Sequence, residues 1–224
     1  MFICVHLWFP SCVYLWLPSC VHLWFRSSAM TEREVIFTGI GGQGIQLMAK
    51  VLAEAATKAG QHVMLFGVYM GMMRGGPSAS TVVIGDGEIQ APPIVPHCWG
   101  IVAMHPQGLE ELARKLRPGG LLFANDTLVK ASPRDDVRWL GLPATRLGEQ
   151  AGNIAGASMI ALGAFVAATG IVEFDSLAAA MRESLPLHRR QRAEENVRFL
   201  TLGAEHMRAR GAPVDLAPAA IGAA

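Results

Sequence analysis

The sequence predicts an α/β fold, in which a Rossmann-like, mostly parallel sheet with flanking helices is followed by a helical C-terminal part. Three observations predict it. A β-type run, a glycine turn, a helical pattern and a second β-type run follow one another over residues 35–68. Strand and helix patterns then alternate as far as residue 145, and helical periodicity continues after Asn153. A strand, a helix and a strand in succession favour parallel pairing with a right-handed crossover.

The first unit is the clearest. Residues 35–38 form a short apolar run that ends at the glycine turn of residues 39–44. Residues 45–59 have helical spacing, and Gly60 is a typical helix stop. Residues 62–68 are a second apolar run, which we expect to be the next strand.

The middle of the chain predicts shorter elements. In order, we expect a loop over residues 69–78, strands over 79–84 and 100–104, a helix over 106–116, a strand over 121–124, and one weak strand with a loop over 135–145. Pro106 suits the first turn of that helix, and Gly119 and Gly120 follow its predicted end.

The last third predicts three helices. Residues 154–169 are almost wholly apolar or small, which is typical of a core helix or of a subunit-interface helix. Asp175 is a candidate cap for the helix over 174–184. The helix over 188–210 has an apolar stripe of Val197, Leu200 and Ala204.

Composition excludes two broad classes. The chain has 224 residues, 19 basic and 18 acidic side chains and a net charge of +1, which argues against a strongly electrostatic nucleic-acid binder. An apolar content of 51% excludes a mainly disordered chain.

Residues 1–29 differ from the rest. An eight-residue unit beginning Cys-Val recurs at Cys4, Cys12 and Cys20, and the only charge is Arg26. Either an upstream tandem repeat has been translated and the native start is Met30, or the segment is a membrane anchor; we expect the former. The predicted organisation is a repetitive segment 1–29, one domain over 30–210 and a flexible tail 211–224.

Outside the repeat, the chain has a single cysteine, Cys98. One cysteine cannot form an internal disulfide, which favours a reduced, cytoplasmic protein. It also excludes a cysteine-ligated iron–sulfur cluster or structural zinc site within the body of the chain.

The turn Gly39-Ile-Gly41-Gly42-Gln43-Gly44 lies between a strand and a helix, where glycines allow close approach of a ligand and free N–H groups attract phosphate. Its spacing is not the usual dinucleotide fingerprint. Leu65-Phe66-Gly67 stands where an acidic residue would hold a ribose. A phosphate-bearing ligand other than NAD and a tight turn without ligand both stay open.

A second glycine segment, Arg74-Gly75-Gly76-Pro77-Ser78, offers a fixed cation and a hydroxyl, although a turn with a solvated arginine has the same pattern. The histidines are scattered without metal-ligand spacing, and we expect neither catalytic residues nor a metal site. Cys98 has no neighbouring base in the sequence.

These segments together resemble the γ-subunit family of 2-oxoacid:ferredoxin (acceptor) oxidoreductases. The matching features are the first glycine turn, residues 49–56, the Arg74-Gly75-Gly76 segment with Ser78, residues 116–121, Asn153 before a small-residue helix, and Asn196, Phe199 and Gly203. The similarity covers about residues 34–206. The small subunit of indolepyruvate oxidoreductase is similar too.

The resemblance implies a subunit that contacts coenzyme A (CoA), while thiamine diphosphate, Mg²⁺ and iron–sulfur clusters belong to partner α and β subunits or a ferredoxin-like δ subunit. The complex would convert a 2-oxoacid to acyl-CoA and reduce ferredoxin or another acceptor. The implied ligand-binding residues are Gly39, Gly41, Gly42, Gln43, Gly44, Arg74, Gly75, Gly76 and Ser78.

One departure from the family pattern bears on the substrate class. Many family members resemble Tyr-Gly-Pro-Glu-Ala-Arg-Gly-Gly before the second segment, whereas this chain has Tyr69-Met-Gly-Met-Met-Arg-Gly-Gly76. Aromatic 2-oxoacids therefore stay open beside pyruvate and 2-oxoglutarate. A stand-alone nucleotide-binding oxidoreductase is the alternative from a different class.

Overall fold

A computed structural model of the chain describes residues 32–69, 75–90, 94–185 and 190–211. The repeat of residues 1–29 and Arg74 lie outside the described residues, as does the predicted tail after Gly211.

A six-stranded mixed sheet forms the centre of the fold. Its strands are β1 Glu32–Ile40, β2 His62–Tyr69, β3 Pro77–Gly85, β4 Cys98–Ala103, β5 Leu116–Asn125 and β6 Arg138–Leu142. They lie in the order β2-β3-β1-β4-β5-β6. Strands β1, β4, β5 and β6 are parallel, whereas β3 is antiparallel to both β1 and β2. The predicted mostly parallel α/β fold is confirmed.

The antiparallel β3 was not expected from the strand, helix and strand succession. It follows β2 after a short connection, and Tyr69 pairs with Ser78. A short connection returns a strand antiparallel, because a parallel return needs a crossover of a dozen or more residues. Strand β3 therefore lies between β1 and β2.

Six helices and a short 3-10 turn accompany the sheet in the described residues. They are α1 Ile45–Lys58, α2 Leu109–Ala113, α3 Ala144–Gln150, a 3-10 turn Ile154–Gly156, α4 Ala157–Thr169, α5 Phe174–Ser184 and α6 Arg190–Ala209. Gly60, with a φ of 79°, follows the end of α1, as the sequence predicts.

The two faces of the sheet are covered unequally. Helices α1, α4, α5 and α6 contribute to one large core, in which Phe165 makes edge-to-face contacts with Phe37, Trp99 and Phe123 at centroid distances of 6.3, 6.4 and 5.9 Å. On the opposite face, the short helix α2 packs Leu109 and Leu112 against a smaller cluster.

Helix α4 is the central helix of the larger core, and 11 of its 13 residues are buried. Its crossing with α6 is a backbone contact. A Cβ atom at Gly163 would lie 2.0 Å from the carbonyl oxygen of Leu200, and one at Gly203 would lie 1.9 Å from that of Ile160. The core-helix alternative is confirmed, and Gly163 is one of the small residues that permit the approach.

The predicted helix over residues 106–116 is wrong in extent. Gly108, with a φ of 78°, delays the start, so that α2 contains five residues. Leu116 already pairs with Cys98 in the sheet, and Gly119 and Gly120 lie inside β5 instead of after a helix. Long-range pairing overrides the local helical pattern here.

One smaller expectation is confirmed in part, and another is wrong. The weak strand predicted within residues 135–145 is β6, but the end of that range belongs to helix α3, which begins at Ala144 and was not predicted. Asp175 does not cap α5: it lies in the first turn, and the N-cap residue is Glu173, which makes no side-chain cap hydrogen bond.

Candidate functional site

The first glycine turn is closed by its own glutamine. The Gln43 backbone N–H donates to the Ile40 carbonyl oxygen at 3.2 Å, and the Gln43 Oε1 atom accepts from the Ile40 N–H at 3.0 Å. Gly42 and Gly44 have φ values of 98° and 77°, a left-handed conformation that favours glycine. The side chain of Gln43 therefore stabilises the turn, and the backbone forms the surface.

Helix α1 begins directly after this turn with unpaired donors. Met48 is the first residue of the helix whose N–H has a backbone acceptor, the Gly44 carbonyl oxygen at 3.0 Å. The N–H groups of residues 44–47 donate to no described residue. The first turn has no acidic residue and no side-chain cap. Free donors at the positive end of a helix dipole form an anion-binding site.

The second glycine segment packs directly on the first. The Gly41 N–H donates to the Gly76 carbonyl oxygen at 2.9 Å, and a Cβ atom at Gly41 would lie 3.3 Å from the Gly75 nitrogen. Gly75 has a φ of 83°. The two segments thus form one continuous backbone surface at the carboxyl end of β1.

Gln46, in the first turn of α1, fastens this helix end to β3. Its Oε1 atom accepts from the Ser80 hydroxyl at 2.5 Å, and its Nε2 atom donates to the Ala79 carbonyl oxygen at 3.1 Å and to Ser78 Oγ at 3.5 Å. Ser80 is fully buried. These bonds fix the start of α1 relative to the second segment.

The loop between β4 and α2 completes the same edge of the sheet. The Met104 N–H donates to the Thr38 carbonyl oxygen at 2.8 Å, and His105 Nδ1 accepts from the Gln107 N–H at 3.1 Å. Residues Pro106, Gly108, Glu110, Glu111 and Arg114 line a cavity of about 520 Å³ beside this loop. Crossovers leave β1 and β4 toward opposite faces, which is the position where open α/β sheets bind ligands.

The structure brings most of the predicted ligand residues together. The turn of residues 39–44, Gly75, Gly76 and Ser78 adjoin at one end of β1 and β3, while Arg74 lies outside the described residues. The N–H groups of Gly41 and Gln43 are used within the protein. The donors open to a ligand are therefore those of Gly42, Gly44 and the first turn of α1.

Sequence reasoning missed Gln46. The available signal was a polar residue in the first turn of a predicted helix, together with serines at the alternate strand positions 78 and 80. Its partners lie in β3, whose position between β1 and β2 was not predicted, so the contact could not be inferred.

The same inserted strand argues against NAD. In a dinucleotide-binding fold the ribose-binding carboxylate stands at the end of the strand beside the glycine turn. Here β3 separates β2 from β1, so the end of β2 lies about 10 Å from β1, two strand spacings instead of one. Leu65, Phe66 and Gly67 also carry no carboxylate.

The groups with shifted pKa lie at the opposite edge. Glu34, at the start of β1, pairs with Arg117 at 2.6 Å, and its Oε2 atom has no hydrogen-bond partner in the described part of the chain. Burial raises the pKa of Glu34, although Arg117 opposes the shift. Burial, and then the charge of Glu34, raise the pKa of the Cys98 thiol to about 12. Cys98 is therefore a protonated core residue.

Within the described residues, no group of three or more His, Cys, Asp or Glu side chains is arranged to hold a metal ion. No described helix combines the length and apolar character needed to cross a bilayer.

Comparison with known proteins gives a consistent family. The profile of the pyruvate ferredoxin/flavodoxin oxidoreductase family matches residues 34–206. The KorC subunit of 2-oxoglutarate synthase from Methanothermobacter thermautotrophicus is 35% identical over 162 residues, which cover 69% of this chain and 85% of the relative.

A longer relative and a solved structure are also similar to this chain. The ketoisovalerate oxidoreductase subunit VorA from Methanothermobacter marburgensis is 33% identical over 144 residues, 64% of this chain, and the match spans only 30% of that relative. The crystal structure of a keto/oxoacid ferredoxin oxidoreductase γ subunit from Geobacter sulfurreducens superposes with a TM-score of 0.67 at 28% identity, covering 79% of this chain and 99% of that one.

Proposed function

The chain belongs to the pyruvate ferredoxin/flavodoxin oxidoreductase family, and from this we propose that it is the γ-type, CoA-contacting subunit of a 2-oxoacid:ferredoxin oxidoreductase. The complex decarboxylates a 2-oxoacid oxidatively, transfers the acyl group to CoA and passes the electrons to ferredoxin or another acceptor. Its α and β subunits, with a ferredoxin-like δ subunit, carry thiamine diphosphate, Mg²⁺ and the iron–sulfur clusters.

One observation carries the CoA assignment: the hydrogen bond from Gly41 to Gly76 joins both glycine segments beside the unpaired N–H groups of α1. A phosphate group complements such donors, since it carries negative charge and several acceptor oxygens. In this proposal, Gly42 and Gly44 contact a CoA phosphate through their N–H groups. Gly39, Gly41 and Gln43 shape the turn, and Gly75, Gly76 and Ser78 form its other wall. We propose Arg74, which lies outside the described residues, as a further ligand-binding residue.

We propose a cytoplasmic location for the complex on the basis of its cysteine content. Cys98 is an unpaired, buried thiol, and the described residues contain no disulfide. Free buried cysteine is typical of proteins from reducing compartments.

The test is purification of the complex through an affinity tag at the C-terminus of this chain in its native host. We expect co-purification of larger subunits that contain thiamine diphosphate and absorb in the visible range through their clusters. The preparation should reduce a viologen dye in a reaction that requires both a 2-oxoacid and CoA. A colourless chain that purifies alone, and whose depletion leaves this activity in the lysate, would contradict the proposal.

The same preparation identifies the substrate. Pyruvate, 2-oxoglutarate, 2-ketoisovalerate and indolepyruvate are each supplied at a fixed CoA concentration, and the substrate with the highest kcat/KM defines the class. An NADH titration without effect on tryptophan fluorescence excludes the stand-alone dehydrogenase.

A further inference from the structure

Ser158, in the first turn of α4, faces the glycine turn. The residue is 4% exposed, and its hydroxyl oxygen lies 2.9 Å from the position that a Cβ atom at Gly44 would occupy. Gly44 is the N-cap residue of α1. The hydroxyl is therefore held at the point where the unpaired N–H groups of α1 begin.

This hydroxyl lacks the bond that four other helical hydroxyls make. Thr57, Thr169, Ser184 and Thr201 each donate to the carbonyl oxygen four residues earlier, at 2.9, 2.8, 2.8 and 3.0 Å. That bond satisfies a helical serine or threonine locally. Ser158 makes no such bond, and its hydroxyl has no hydrogen-bond partner in residues 32–69, 75–90, 94–185 and 190–211.

Although the residue is largely buried, its hydroxyl oxygen still reaches solvent, so it is free to bond a ligand that enters the site. The surroundings favour an anion. The first turns of α1 and α4 contain no acidic residue. The 3-10 turn before α4 already uses the N–H groups of Gly156 and Ala157, which donate to Asn153 and Ile154. Helix α4 thus contributes a hydroxyl, and α1 contributes backbone donors.

We propose that Ser158 is a ligand-binding residue, whose hydroxyl donates a hydrogen bond to a phosphate oxygen held by the N–H groups of residues 44–47. This inference rests on the proposed function and deepens it, because it adds to the CoA site a side chain from α4, far from the glycine turn in the sequence. Ser158 is the one polar side chain in the first turn of α4.

The experiment uses the complex purified through a tag on this chain, with the variant Ser158→Ala and the matched control Thr169→Val. The control removes a hydroxyl from the far end of the same helix. CoA and inorganic pyrophosphate, which lacks the adenosine and pantetheine parts, are titrated calorimetrically into each complex, and the unfolding temperature is measured in parallel.

We expect Ser158→Ala to weaken binding of both probes about tenfold, as for loss of one hydrogen bond to a charged group. Its unfolding temperature should stay unchanged, and Thr169→Val should keep the original affinities. Unchanged affinities in Ser158→Ala, or a loss that appears only together with a lower unfolding temperature, would overturn the inference. If the unsubstituted complex binds pyrophosphate but not CoA, the proposed function fails, while the Ser158→Ala effect on pyrophosphate still decides the inference.

Discussion

The backbone N–H of Gly41 donates to the carbonyl oxygen of Gly76 at 2.9 Å, and this bond joins two glycine segments that leave different strands. Gly41 lies after β1 and Gly76 before β3. A side chain at Gly41 would press on this contact, since its Cβ atom would lie 3.3 Å from the Gly75 nitrogen. Close approach of two backbones thus explains Gly41, whereas positive φ values explain Gly42, Gly44 and Gly75.

Gly41→Ala should therefore displace the second segment and weaken CoA binding. Misplacement of a binding group by fractions of an ångström raises KM, and we expect a rise in the KM for CoA on the order of tenfold. Steady-state kinetics with varied CoA measures it. Gly100→Ala is the control, because its Cβ atom would meet its nearest neighbour, the Leu121 carbonyl oxygen, at an ordinary 3.7 Å. Equal KM values in the two variants would show that the contact is not needed.

Gln46→Leu should lower the free energy of unfolding by about 2 kcal/mol, because the buried hydroxyl of Ser80 loses its acceptor. Adding Ser80→Ala removes the stranded hydroxyl, so the double variant should recover part of that loss. Urea denaturation of the four proteins forms a double-mutant cycle. Strictly additive losses would contradict the coupling of the two side chains.

Gly203→Ala should be among the most destabilising single substitutions in the helical layer. Its Cβ atom would lie 1.9 Å from the Ile160 carbonyl oxygen, so α4 and α6 must move apart. Overpacking of this kind costs about 3 kcal/mol. Thermal and urea unfolding measure the loss against Gly100→Ala. A change below about 0.5 kcal/mol would show that the two helices separate freely.

Stability should depend on pH through Glu34. Burial raises its folded-state pKa above the ordinary value of 4.5, so the folded state favours the protonated carboxyl. The resulting stabilisation is present below pH 4.5 and is lost as the pH rises through the raised pKa. The unsubstituted protein should therefore lose stability relative to Glu34→Gln over this window. Urea midpoints of both proteins, taken at intervals from pH 4 to pH 8, test it; a constant or oppositely changing difference would contradict the assigned shift.

Local patterns predicted those parts of the fold that local interactions determine. The helix over residues 45–59 and its stop at Gly60 depend on periodicity and on a left-handed glycine, and the structure has both. The helix predicted over residues 106–116 is shorter in the structure, because Gly108 delays its start and Leu116 pairs with Cys98 in a neighbouring strand. A pairing partner at that distance leaves no periodic signal in a short window.

The candidate site was predictable in its residues more than in its geometry. Glycine turns are visible in sequence, and both segments were identified. Their mutual hydrogen bond depends on β3 lying beside β1, which only the assembled sheet defines. Ser158 could not be predicted for the same reason. The pattern of a mostly apolar helix does not indicate that a serine in its first turn faces Gly44.

The most direct test of the central claim compares two glycines of one helix. Gly44 precedes α1 at the proposed CoA site and Gly60 follows its other end, with φ values of 77° and 79°. Alanine at either position carries a similar backbone strain of about 1 kcal/mol. At Gly44 its Cβ atom also meets the Ser158 hydroxyl at 2.9 Å, so stability should fall for both variants and somewhat more for Gly44→Ala. In the purified complex, Gly44→Ala should raise the KM for CoA at least about tenfold while the KM for the 2-oxoacid stays constant. Gly60→Ala should change neither constant. An unchanged KM for CoA in Gly44→Ala would contradict the assignment of this turn to CoA.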